Sequence, residues 1–91
     1  MKEQDLQKKI TEHLESLGCY VIKVIAANKN GCPDLLFSYD GRFMACEVKA
    51  PGKLSKVTKL QQFHIDLINK TGGKAFAADS LEEVIKQIHS L

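Results

Sequence analysis

The first apolar residues of the chain, Leu6, Ile10, Leu14 and Leu17, recur at helical spacing. Residues 3–17 therefore read as a helix, and Gly18 is a natural stop. Placing successive residues about 100° apart puts Glu3 and Gln7 at the edge of that stripe, with Glu12 and Glu15 on the solvated side. Residues 20–26 are rich in β-branched side chains and read as a strand. Asn28-Lys29-Asn30-Gly31 is a loop. Two apolar runs follow, 33–39 and 42–49, joined by Asp40-Gly41, which is a two-residue hairpin signal. Pro33 suits the first residue of a strand. Ala50-Pro51-Gly52 breaks the pattern. A second helix starts near Ser55 or Thr58 and runs to about Thr71, with Leu60, Phe63, Leu67 and Ile68 inward. Gly72-Gly73 ends it. Lys74–Ala78 is a short strand. Asp79 or Ser80 caps a last helix with Leu81, Val84, Ile85 and Ile88 inward, and Ser80 with Glu83 forms a capping box. The order is α-β-β-β-α-β-α, in one domain spanning residues 1–91.

The hairpin carries the chemistry. If Tyr39 pairs with Arg42, Asp34 falls opposite Glu47. Directly opposed side chains share a face, with Cβ atoms about 5 Å apart. Lys49, two residues beyond Glu47, lands on the same face. Two carboxylates so placed repel each other unless a cation sits between them. The pattern predicts a divalent-metal site with an adjacent ammonium.

Charge places the partner. The formal net charge is only +2, but Lys49, Lys53, Lys56 and Lys59 lie in a stretch without an acid. Beside a metal site this favours a polyphosphate backbone; the competing reading is a solvated loop. The six aromatic residues, most of them alternating inward, form no basic-aromatic stacking strip, which favours backbone geometry over base reading. Cys19, Cys32 and Cys46 lack zinc-ligand spacing. An odd count without a signal sequence points to reduced thiols in the cytoplasm, and Cys46 should face a core. No run of about 20 apolar residues suggests a membrane span.

These residues resemble the PD-(D/E)xK nuclease superfamily, on Pro33-Asp34 followed by Glu47-Val48-Lys49. More closely, the chain is similar to small stand-alone members of the virus-type replication-repair nuclease (VRR-NUC) group. That resemblance rests on Gly31-Cys32-Pro33-Asp34-Leu35-Leu36, on Glu47-Val48-Lys49-Ala50-Pro51-Gly52, and on Gln61-Gln62-Phe63-His64-Ile65. It implies a small restriction-endonuclease-like α/β fold with a central mixed sheet flanked by helices. It also implies an Mg²⁺- or Mn²⁺-dependent endonuclease acting on DNA, selective for branched or four-way junctions, as a homodimer. Asp34, Glu47 and the Val48 carbonyl would hold the metal. Lys49 would orient or help deprotonate the attacking water. Glu3, on the inward edge of the first helix, would reach the metal directly or through water; its alternative is a first-turn glutamate favoured by the helix dipole. Gln61 would hold a water or a DNA phosphate; its alternative is a surface glutamine. Lys29, Lys53, Lys56 and Lys59 are expected to contact phosphates.

Three rivals remain. One is a non-catalytic DNA-binding subunit on the same fold, against which Asp34, Glu47 and Lys49 are all present. Another is a base-specific restriction-type nuclease, for which 91 residues leave no recognition domain. The last is an α/β scaffold whose carboxylates merely pair with Lys49.

Overall fold

The computed structural model describes all 91 residues. A helix, α1 (Glu3–Ser16), leads into three consecutive strands, β1 (Tyr20–Lys23), β2 (Leu35–Tyr39) and β3 (Arg42–Val48). A 3₁₀ turn (Leu54–Lys56) precedes α2 (Lys59–Lys70), then β4 (Lys74–Ala78) and α3 (Leu81–His89). The strands form one mixed sheet in the order β1-β2-β3-β4. The first three are antiparallel, and β4 joins parallel to β3, because α2 carries the chain back between them.

The hairpin forms where the sequence places it. Tyr39 pairs with Arg42, and the same register runs down to Leu35 opposite Cys46. Asp40 (φ 50°) and Gly41 (φ 79°) both take the left-handed conformation that a type I′ turn requires.

The sheet divides the protein into two unequal layers. On one face Leu35, Phe37, Met44, Cys46, Val48 and Phe76 pack beneath α1 and α3, whose Leu6, Ile10, Leu14, Val84 and Ile88 complete the main core. On the other face α2 alone covers part of the sheet, through Ile65 against Ala45 and Ala75.

The second helix is turned from the orientation its apolar spacing suggests. Ile65 and Ile68 face the sheet, whereas Leu60, Phe63 and Leu67 are exposed. The alanines beneath this helix leave room for a close approach by one narrow stripe only. Tyr20 and Phe43 are exposed with Phe63, so only Phe37 and Phe76 of the aromatic residues are buried. The first strand stops at Lys23 rather than residue 26. Its last contact is Val24 N–H donating to the Asp34 carbonyl at 2.8 Å, and Pro33 has no N–H to continue the ladder. The expected capping box at Ser80 is half made. Ser80 Oγ accepts from Glu83 N–H, but the Glu83 carboxylate accepts from Gln87 instead. A complete box closes at Thr58 and Gln61.

Candidate active site

Asp34 immediately precedes β2, and Glu47 is the penultimate residue of β3. Extending the observed register by one residue sets them opposite each other. The Asp34 carboxylate reaches across the mouth of the hairpin, where its Oδ2 accepts the Val48 N–H at 2.8 Å. Lys49 lies on the same side, its Nζ 3.6 Å from Glu47 Oε2. Its backbone N–H is fixed by the Ala78 carbonyl at the end of β4, which sets where the side chain starts.

Glu47 is only 3% exposed, and its Oε1 has no hydrogen-bond partner. Burial, and then the negative charge of Asp34, push its carboxyl up to about 8, although the Lys49 ammonium pulls the other way. A buried carboxylate with an orphan oxygen beside a second carboxylate is a costly arrangement when left as it is. The donors are hard oxygens, which suit Mg²⁺ or Mn²⁺. No third Asp, Glu, His or Cys side chain joins the pair to complete an all-side-chain cluster. Backbone carbonyls and water would supply the remaining ligands.

The other expected residues form no hydrogen bond or ion pair with Asp34, Glu47 or Lys49. Glu3 is partly exposed in the first turn of α1. Gln61, also partly buried, is committed to the N-terminus of α2. Its Oε1 accepts from Thr58 N–H at 2.9 Å, while Thr58 Oγ1 accepts from Gln61 N–H. Lys29, Lys53, Lys56 and Lys59 are all exposed. The loop carrying Lys53 and Lys56 is pinned at its base, where Gly52 N–H donates to the Asp79 carboxylate.

Two neighbours were not singled out by the sequence. Cys32 feels both carboxylates: burial, then the charges of Glu47 and Asp34, push its thiol up. Its place in Gly31-Cys32-Pro33-Asp34 was the available signal. Gln7, one turn after Glu3, is buried with an unpartnered Oε1. It borders a polar cleft of about 460 Å³ between α1 and Lys23. Its position at the edge of the apolar stripe was legible, but its burial was not.

Similarity to known proteins follows the same geometry. Residues 1–82 match the VRR-NUC domain family. No curated protein matches this chain. A solved structure named "VRR_NUC domain" superposes with a TM-score of 0.82 at 31% identity, covering 98% of this chain and 96% of that one. A second, named "VRR_NUC domain protein", reaches a TM-score of 0.78 at 23% identity, over 98% of this chain and 86% of that chain. At that identity it bears on the fold alone. With the family match spanning the hairpin, both carboxylates and Lys49, the chain belongs to the VRR-NUC family of nuclease-type domains.

Proposed function

We propose that this chain is a divalent-metal-dependent DNA endonuclease, selective for branched or four-way DNA, whose single 1–91 domain works as a homodimer. The observation that carries the reading is Glu47. Its buried Oε1 lacks a partner while Asp34 sits opposite and Lys49 reaches only Oε2. The scaffold alternative, a carboxylate held by Lys49 alone, accounts for one of the two Glu47 oxygens and leaves the other stranded.

Asp34, Glu47 and the Val48 carbonyl would hold Mg²⁺ or Mn²⁺. When bound there, such an ion supplies Lewis acidity and lowers the pKa of a coordinated water. The chain's own residues do the rest. Asp34, with one oxygen fixed by Val48 N–H, presents its free oxygen in a set direction. Lys49 donates to the attacking water or to a phosphate oxygen and offsets the negative charge that builds on the phosphoryl oxygens. Glu3, in the first turn of α1, would reach the metal directly or through water. The Gln61 amide nitrogen is left to donate to a phosphate while its oxygen holds the helix cap. Lys29, Lys53, Lys56 and Lys59 position the DNA backbone without reading its sequence.

The test is cleavage of linear, nicked, flapped and four-way DNA with and without Mg²⁺ or Mn²⁺. Glu47→Gln and Asp34→Asn preserve shape, and each should abolish cleavage while retaining DNA binding. Wild-type turnover in either variant, or metal-independent cleavage, would defeat the metal reading.

A further inference from the structure

The segment from Ala50 to Val57, which carries Lys53 and Lys56, is held to the rest of the protein by a single polar link. None of its residues is buried, and its 3₁₀ turn adds nothing to either core cluster. Its backbone hydrogen bonds close within it: Lys53 N–H to the Ala50 carbonyl, Lys56 N–H to the Lys53 carbonyl, and Val57 N–H to the Leu54 carbonyl. The first of these closes a turn with Pro51 in second place and Gly52, at φ 80°, in third, which is the type II pattern. The one hydrogen bond that leaves the segment runs from Gly52 N–H to Asp79 Oδ2 at 3.2 Å. Pro51 borders a hollow of about 220 Å³ shared with Leu6 and Leu81, so close packing does not replace that link.

Asp79 stands between two fixed points. It follows Ala78, which pairs with Val48 in parallel register, and precedes Ser80, whose Oγ caps α3. The Ala78 carbonyl accepts the Lys49 N–H at 2.9 Å. Successive residues at the end of β4 thus hold successive parts of the chain beyond β3: the Ala78 backbone fixes Lys49, and the Asp79 side chain fixes Gly52. We propose that Asp79 is a positioning residue for DNA binding, setting through Gly52 where Lys53 and Lys56 meet the phosphate backbone. This rests on the phosphate contacts of the proposed function, and it gives Asp79 no contact with DNA or metal.

The charge of Asp79 makes this role separable from a bland one. A carboxylate beside a polyphosphate repels it. As a mere surface acid Asp79 therefore lowers DNA affinity, and any neutral replacement strengthens binding. As an anchor it raises affinity, because a loop already in place loses less entropy on binding. Asparagine and alanine distinguish the two. Asparagine removes the charge and keeps an oxygen that accepts the Gly52 N–H. Alanine removes both.

Fluorescence anisotropy of the full chain on duplex and four-way DNA, with EDTA present, tests the proposal. Asp79→Asn should bind as tightly as wild type or tighter, and Asp79→Ala about 5-fold or more weakly. Backbone amide order parameters of Gly52 to Lys56, measured without DNA, should hold in Asp79→Asn and fall below about 0.6 in Asp79→Ala, while those of α3 stay at wild-type values. In wild type the Gly52 amide should exchange about 10-fold or more slowly than in an unfolded peptide, which keeps the test valid if Asp79→Ala does not fold. With Lys53→Ala and Lys56→Ala already present, adding Asp79→Ala should cost no further affinity. Equal binding by the Asn and Ala variants, order parameters that ignore Asp79→Ala, an unprotected Gly52 amide, or a loss that persists without the two lysines would overturn the positioning role. The lysine double variant separates this role from the reading beneath it. If that variant binds as wild type does, the phosphate contacts fall and the role falls with them. If it binds weakly while the Asn and Ala variants agree, only Asp79 is removed.

Discussion

Glu47 concentrates the tension of the site into one side chain. Its folded carboxyl is raised from 4.5 to about 8, so between those values the native state holds a proton that the unfolded chain has lost. Stability therefore falls as pH rises through this window and levels off above it. Metal-free wild type should melt at progressively lower temperature from pH 5 to pH 8.5, whereas Glu47→Gln should show a much flatter profile. At pH 9 the variant should melt higher by about 5 °C or more. A ligand that binds only the deprotonated native site stabilises it, so saturating Mg²⁺ should raise the wild-type melting temperature at pH 8.5 and leave Glu47→Gln unmoved. Parallel wild-type and variant profiles would show that Glu47 is already compensated. At this scale the opposition of Asp34 and Glu47 was legible, because a two-residue turn fixes the register and the register fixes the partners. The depth of Glu47 was not, since burial depends on packing by distant parts of the chain.

Loop and helix meet tightly at Gly31. It has φ of +87°, and a Cβ there would lie 2.7 Å from Leu60 Cγ and 3.1 Å from the His64 ring. The loop that delivers Pro33 and Asp34 is thereby pressed against the first half of α2. Gly31→Ala should destabilise the fold by about 2–4 kcal/mol, combining left-handed strain with overpacking, as read by urea unfolding. Adding Leu60→Ala should recover the packing part and leave the strain, giving a favourable coupling in the double-mutant cycle. An additive cycle would mean that loop and helix are not in contact. Helices and strands were largely legible because their periods differ. The orientation of α2 was not. The helix has two apolar sectors, and periodicity says nothing about which one finds the small residues Ala45 and Ala75 beneath it. The end of β1 was missed for a related reason: β-branched residues favour a strand, but Pro33 on the neighbouring chain segment ends the ladder.

For the whole molecule, a net charge of +2 says little, and its distribution says more. Lys53, Lys56 and Lys59 are exposed on the segment that follows β3. Replacing all three with alanine should weaken DNA binding alike for every sequence. If each contacts a phosphate, the slope of log K against log salt should flatten by about 3 on duplex DNA, and an unchanged slope would return these lysines to the solvent. The α-β-β-β-α-β-α order was legible from local pattern, and the resemblance anticipated the family. The bare half of the sheet was not, because it results from what fails to cover it. The hydrogen bond from Val48 N–H to Asp34 Oδ2 has a consequence for binding thermodynamics. With one oxygen already engaged, and no third acidic, histidine or cysteine side chain alongside, the chain offers few donors to an ion that prefers six. Solvent must fill much of the coordination sphere, and phosphate oxygens of DNA are well suited to replace it. Ion and DNA then raise each other's affinity by the same factor. On the proposed function, the free protein would bind its metal weakly, and DNA would complete the site.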